Sequence, residues 1–251
     1  MTSAAGHPPK SSLVVHEELD YLYVAKPAGI PVFAPHADPS GESLLGRLLS
    51  EGAISQFVSD ERSWPQGFEG GMLHRLDTWT SGLVVAARTQ TGFKRGRAMF
   101  GSQDLEKTYV FLTDRQVSWD QHQVDHDLAH DPKRKSRMVW RRGRNTPHRG
   151  KWYPATTWFR RMGRRGSLHL WEAVMQTGVM HQIRLHAAAA GLPLLGDRLY
   201  GGTALVGDEQ RFFLHHERLA GWPGSPPSIP YPEQWPTSVE GTSPEGWGDR
   251  K

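Results

Sequence analysis

The stretch Gly71-Met72-Leu73-His74-Arg75-Leu76-Asp77-Thr78-Trp79-Thr80-Ser81-Gly82 gathers an unusual set of reactive side chains. A lone carboxylate, Asp77, stands in a polar turn just before the apolar run Leu83-Val84-Val85-Ala86-Ala87. His74 and Arg75 precede it, and Thr80 and Ser81 follow with hydroxyls ahead of a glycine. An ionised carboxylate so placed can act as a nucleophile or as a base. The same residue can instead cap a turn or the N-terminus of a helix, a common task for Asp. The spacing alone leaves both readings open.

Other constellations are weaker. His126-Asp127-Leu128-Ala129-His130 places two histidines four apart, but a zinc-protease motif needs Glu where Asp127 stands, on a helix that Asp131-Pro132 disfavours. His215-His216-Glu217 is similarly short of ligands, so no metal site is expected. No G-x-x-x-x-G-K-[ST] occurs, and the glycine clusters lack the strand-then-helix setting of a dinucleotide site. The absence of cysteine excludes disulfides, thiolate metal sites and a cysteine nucleophile.

The elements that must position Asp77 can be read from pattern. Tyr21-Leu22-Tyr23-Val24-Ala25 reads as a strand ending at the turn Lys26-Pro27-Ala28-Gly29. Residues 43–49 read as a short helix, 83–87 as a buried strand, and 92–100 as a basic helix. Residues 107–112 and 168–174 read as further strands. His181 to Ala190 reads as a helix closed by Gly191 and Pro193. Interleaved strands and helices with hairpin-like joins imply an α+β fold with a mixed, largely antiparallel central sheet flanked by helices. Residues 1–12 read as a flexible arm, 13–221 as one catalytic body, and 222–251 as a Pro/Gly-rich tail that wraps the surface or frays.

The chain has 251 residues and a formal net charge of +4. Its longest apolar runs fall far short of the ~18 residues a membrane helix needs. The N-terminus lacks an apolar signal core, which suits a cytoplasmic protein. Charge is strongly segregated. From Lys133 to Arg165 there are 13 Lys or Arg and no Asp or Glu, with Trp140, Trp152, Tyr153, Trp158 and Phe159 interleaved. A run of one sign repels itself and favours an anionic partner. DNA, RNA and acidic protein are not separable on this pattern.

Several ordered blocks resemble one family. His74-Arg75-Leu76-Asp77 followed by Thr80-Ser81-Gly82 and an apolar strand resembles the central motif of the RluA-type pseudouridine synthases. Lys26-Pro27-Ala28-Gly29 is similar to that family's N-terminal turn, and Lys107-Thr108-Tyr109 to its K-x-Y block. His181-Gln182-Ile183-Arg184-Leu185-His186 resembles its H-Q-I-R-x-H helix, and residues 191–201 its sequel. Leu214-His215-His216-Glu217-Arg218-Leu219 resembles its closing block. The resemblance spans about residues 17–220.

The resemblance implies a pseudouridine synthase fold with an active-site cleft, and an isomerase that converts specific uridines in ribosomal or transfer RNA to pseudouridine. Nothing is gained or lost in that reaction, so no cofactor is expected. It assigns the essential carboxylate to Asp77, a stacking and proton-handling role to Tyr109, and to Arg184 a guanidinium that pairs with Asp77 and holds its orientation. Arg75 would enter the RNA, with His74 nearby as a loop buttress. Lys133, Arg134, Lys135 and Arg137 would lie between the K-x-Y strand and the strand before the H-Q-I-R helix, on an RNA-binding insertion. RNA is thus the expected partner; no obligate protein partner is evident, and a monomer is the default. A non-catalytic RNA-binding protein on the same scaffold, or a glycosidase releasing uracil, are the competing readings. Two positions depart from the family pattern. Val179-Met180 stand where Arg-Thr is usual, and Thr78-Trp79 where a charged pair is usual, which bears on substrate choice.

Overall fold

The computed structural model describes residues 11–35, 38, 40–54, 68–205 and 211–239. The chain divides into two compact units, Met1–Leu105 with Arg218–Pro230, and Glu106–Glu217 with Tyr231–Lys251.

The first unit is built on β1 (Val14–Glu17), β2 (Tyr21–Lys26), α1 (Leu44–Ser50), β3 (Thr80–Ala87) and α2 (Gln90–Gly101). β2 pairs antiparallel with both β1 and β3, in a register that sets Tyr23 opposite Val85 and Lys26 opposite Gly82. All eight residues of β3 are buried, which is why residues 83–87 read as an unbroken apolar run. Tyr21, Tyr23, Leu83, Val85 and Ala87 pack with Leu73, Phe93, Leu105, Leu219 and Trp222. The Tyr23 hydroxyl accepts from Trp222 Nε1 (3.1 Å) and donates to Glu18 (2.9 Å), so the buried ring keeps its polar end satisfied. Ser43 caps α1 and Thr89 caps α2, each accepting the third amide beyond it.

The second unit contains β4 (Glu106–Thr113), β5 (Gln121–Asp125), β6 (Leu128–His130), β7 (Met138–Trp140), β8 (Arg149–Tyr153), β9 (Thr156–Arg165), β10 (Leu168–Met175) and α3 (Gln182–Ala189). β11 (Leu214–Ala220) crosses the boundary between the units. β10 lies between β4 and β9, and β5 takes the outer side of β9, all antiparallel. A separate three-stranded antiparallel sheet places β6 between β7 and β8. The expected α+β class with mostly antiparallel strands is what the chain adopts. The strand β1 and the run from β5 to β9 lie beyond the sequence reading. They are short or polar, and β5 and β9 bury alternate residues at most, so no apolar run marks them.

The expected arm falls mostly on residues 1–10, outside the described residues. Described parts of the expected tail pack closely: Trp222 joins the core of the first unit, and Trp235 and Val239 that of the second.

The path into the Asp77 turn is fixed by glycine. Gly71 has φ of 75°, and a Cβ there would stand 2.3 Å from the carbonyl oxygen of Ala87. Beyond it Met72 bridges Ala86, and the Leu73 amide donates to Val85 O (3.0 Å). Gly71→Ala is expected to cost about 1–3 kcal/mol through the left-handed backbone alone, with the clash added. Thermal unfolding of the purified variant would show a midpoint lower by several degrees; an unchanged midpoint would contradict this packing.

Candidate active site

Within the first unit, the Asp77 turn is clamped from β2. The Lys26 ammonium, 2% exposed, donates to the carbonyls of Pro27 (2.8 Å) and Thr78 (2.9 Å). The Gly29 amide also donates to Thr78 O (3.0 Å), and the Thr80 amide to Asp77 O (3.0 Å). The residue after the carboxylate is therefore held by a lysine and a turn amide of the K-P-x-G segment. Burial pushes Lys26 down to about 8, with the Asp77 carboxylate opposing that shift. Sequence reading took Lys26 as part of a turn signal only. A charged residue closing an otherwise apolar strand was the available sign of its role.

His74 is half-buried. Its Nε2 accepts the Val85 amide (3.1 Å), which fixes the tautomer with hydrogen on Nδ1, and its ring stacks on Phe100 at 4.5 Å. Arg75 is exposed and makes no ion pair among the described residues. Trp79 lays its six-membered ring edge against Gly29, 3.3 Å from where a Cβ would stand. The ring that departs from the family pattern thus packs on the K-P-x-G turn.

Within the second unit, Tyr109 lies on β4 opposite Ala173, 5% exposed, with its ring stacked on His216 at 4.6 Å. Two residues before it on the same face, Lys107 sends its ammonium to the carbonyls of Gln176 (2.7 Å) and Thr177 (3.2 Å). Burial pushes it, too, down to about 8. It ties off the loop that leads into α3.

Arg184 is buried on α3 rather than exposed. Its Nε and Nη2 donate to the two carboxylate oxygens of Asp197 at 2.6 and 2.9 Å. This bidentate fork fixes the guanidinium plane. Asp197 carries the role of a positioning residue that sequence reading missed, and its place in Gly196-Asp197-Arg198 gave no periodic signal. The Phe212 ring lies 4.2 Å from the guanidinium carbon.

The N-terminus of α3 is held in a costly conformation. His181 has φ of 56°, left-handed for a residue with a Cβ. Its Nδ1 meets the Tyr200 hydroxyl at 2.8 Å, and the same hydroxyl accepts the Met138 amide at 2.9 Å. The buried Gln182 amide accepts from Thr177 and from the Val179 amide, and donates to Thr156 O and Thr157 Oγ1. His186 Nε2 faces the His126 carbonyl (3.0 Å) and its Nδ1 the Thr157 hydroxyl (2.9 Å); burial pushes it down to about 4, so it is neutral. These contacts tie the helix to β9 and to the segments that carry His126 and Tyr200.

Lys133, Arg134 and Lys135 are exposed on the β6–β7 loop, and Arg137 is half-buried beside Asp131 (3.9 Å). Asp131 Oδ1 accepts the amides of Lys133 and Arg134, a side-chain-closed turn. The loop sits between β4 and β10, where the resemblance put it. Among the described residues no group of three or more His, Cys, Asp or Glu is arranged to hold a metal ion. Among them, too, no helix is long and apolar enough to cross a membrane.

A family model described as RNA pseudouridylate synthase matches residues 20–189, and the chain belongs to that family. The chain is 30% identical over 188 residues to an uncharacterized RNA pseudouridine synthase of Aquifex aeolicus, covering 75% of this chain and 55% of the relative. It is 32% identical over 190 residues to the ribosomal large subunit pseudouridine synthase D of Zymomonas mobilis, covering 75% and 55%. It thus spans about half the length of these curated relatives. The solved structure of human RNA pseudouridylate synthase domain containing 1 shares the fold, with a TM-score of 0.61 at 20% identity, covering 86% of this chain and 80% of that one.

The two buried lysines make stability depend on alkaline pH. Between about pH 8 and 10 the unfolded chain binds more protons than the folded one, because both ammonium groups fall from 10.5 to about 8 on folding. Stability therefore rises with pH across that window. Tyr21 and Tyr23, whose phenols burial pushes up, oppose the rise only above about pH 10. Denaturant midpoints followed through the window should climb, less steeply in Lys26→Met; a flat or falling wild-type curve would contradict the buried charges.

Proposed function

We propose that this protein is an RNA pseudouridine synthase that isomerises uridines in ribosomal or transfer RNA. The observation that carries the reading is the family match over residues 20–189, which takes in Asp77, Tyr109 and Arg184 together. Relatives named for the large ribosomal subunit favour ribosomal RNA.

In the proposed reaction the N1–C1′ bond of the target uridine breaks, uracil turns while held, and a C5–C1′ bond forms. The proton on C5 leaves, and N1 gains one. Asp77 acts in its ionised form, either by attacking the sugar or by removing a sugar proton. The Lys26 clamp on Thr78 supports this role, because it fixes the turn that carries the carboxylate and adds a positive charge near it. Tyr109, on a buried strand, is assigned to uracil, stacking on it and assisting removal of the C5 proton, its hydroxyl passing its own proton on as it takes that one. Arg184 is assigned to orienting Asp77; the Asp197 fork supports this by holding its guanidinium in one plane. Arg75 is assigned to entering the RNA as the target base leaves its stack, an eversion that costs a few kcal/mol. His74 props the turn from which Arg75 extends. Lys133, Arg134, Lys135 and Arg137 are assigned to the RNA backbone. The chemistry needs no cofactor.

Incubation with uridine-containing RNA should yield pseudouridine and no free uracil; uracil release, or binding without product, would overturn the reading. Asp77→Asn should abolish product while RNA affinity stays within a few-fold. Arg184→Lys cannot reproduce the fork and should lower turnover by about 10²-fold or more, with thermal midpoints confirming a folded chain. Near-normal turnover would refute the orienting role. Tyr109→Phe running at full rate would leave stacking and dismiss the proton role.

A further inference from the structure

The small sheet of β6, β7 and β8 has two unlike sides. Leu128 and Met138 face a core shared with Ala155, Leu185 of α3 and Tyr200, with Trp140 packed partly against it. That packing, and the Met138 amide on Tyr200, make the sheet a rigid extension of the second unit. Its remaining surface is cationic. Between Asp127 and Tyr153 there are nine Lys or Arg and two Asp.

Each aspartate flanks one end of β6 and is met by one arginine, Asp127 by Arg141 (3.1 Å) and Asp131 by Arg137 (3.9 Å). Seven cations remain, all exposed and none in an ion pair among the described residues. Lys133, Arg134 and Lys135 stand on the β6–β7 loop. Arg142 and Arg144 stand on the loop to β8, and Arg149 and Lys151 on β8 itself.

The aromatic rings between them are engaged by their own chain. Trp140 carries His126 stacked at 4.6 Å and 19°, with Arg142 over it at 5.4 Å. Trp152 carries His148 at 4.3 Å and Arg141 at 5.7 Å. Tyr153 meets the edge of His130 at 6.5 Å and carries Lys151 at 5.1 Å. Proteins that hold single strands present open ring faces on which bases stack. These rings instead hold cations over their faces. What the sheet offers a ligand is a rigid array of positive charge.

We propose that this sheet is a platform for the phosphate backbone of double-helical RNA, which it holds without reading base identity. The proposal rests on the reading of the protein as an RNA enzyme and specifies the RNA element it grips. An A-form duplex suits such a surface. It presents the phosphates of two strands at fixed spacing and withholds its base edges in a deep major groove. The surface supplies sequence-independent affinity, so the choice of uridine belongs elsewhere. With seven cations engaged, the log–log salt slope of binding has a magnitude of at most about 6.

The test uses the full chain carrying Asp77→Asn and a labelled RNA duplex of G·C pairs only, followed by anisotropy across a salt series. Tight binding is expected, with a log–log slope magnitude of about 4–6. The single strand of either sequence should bind at least tenfold more weakly. Adding Arg144→Ala and Arg149→Ala should lower the slope magnitude by about 2 and the affinity at least tenfold, with an unchanged thermal midpoint. Equal or tighter single-strand binding overturns the duplex assignment. Binding insensitive to salt or to these substitutions overturns the platform. The functional reading fails separately: wild-type protein that makes no pseudouridine yet holds the uridine-free duplex loses the enzyme and keeps the platform. Pseudouridine formation without duplex binding does the reverse.

Discussion

A buried ammonium ion bound to backbone carbonyls is the interaction that, in each of the two units, holds the segment next to the proposed functional residues. Lys26 closes β2 and Lys107 stands near the start of β4, each nearly excluded from water; Lys26 donates to the carbonyls of Pro27 and Thr78, and Lys107 to those of Gln176 and Thr177. Burying a charge is unfavourable unless it is paired and hydrogen-bonded. The carbonyls that meet these two lysines must therefore stay where they are, since any loop excursion would strand the charge. The first loop carries Asp77 and the second leads into α3 and Arg184. A neutral side chain of the same length would remove the penalty, and with it the constraint. Both lysines belong to motif blocks, K-P-x-G and K-x-Y, that read from sequence as a turn and a strand rather than as anchors.

The second unit adds a further layer of restraint. His181 adopts a left-handed conformation that costs of order 1–3 kcal/mol and persists only where surroundings over-determine it. Here those surroundings are explicit. Tyr200 holds the His181 ring, the Gln182 amide is satisfied on both ends, and His186 is wedged neutral between Thr157 and the His126 carbonyl. Gln182 and His186, one turn apart, share a face and both reach Thr157, while Arg184 between them reaches Asp197. The polar residues of this helix are buried along with the apolar Ile183, Leu185 and Ala187. Its hydrogen bonds add to the apolar packing that holds it.

Legibility followed burial and periodicity. The strands β2, β3, β4 and β10 are apolar runs with few interruptions, and their extents were apparent within a residue or two, apart from three residues at the start of β3. So was α3, stopped by Gly191 in a left-handed conformation. β6 and β7 were not, because three residues cannot display a period. The carboxylate, the tyrosine and the arginine of the proposed site were visible because their types are chemically distinctive and the blocks around them resemble a family. Asp197 was not, because its meaning lies in a fork to a residue 13 positions earlier. Trp79 was visible only as a departure from the family pattern; its ring packs on Gly29, whose backbone is left-handed.

The segregated charge resolves into two populations once the strands are known. From Lys133 to Arg165 the sequence shows one unbroken positive run. On β9 that charge is absorbed by the fold. Arg160 pairs with Glu172 across to β10, Arg161 binds Asp120 and the carbonyls of Val117 and Trp119, and Arg165 donates to the carbonyls of Glu233 and Trp235. Acidic partners excluded from the run itself come from neighbouring segments. On β6–β8 no such compensation occurs among the described residues beyond the two aspartates, and histidines and aromatic rings stand beside the cations. Self-repulsion within that sheet is tolerable because packing against α3 and Tyr200 holds it together from the other face. A surface kept cationic at that cost is what an anionic ligand would select. On β9, by contrast, Arg160 and Arg161 meet carboxylates of Glu172 and Asp120.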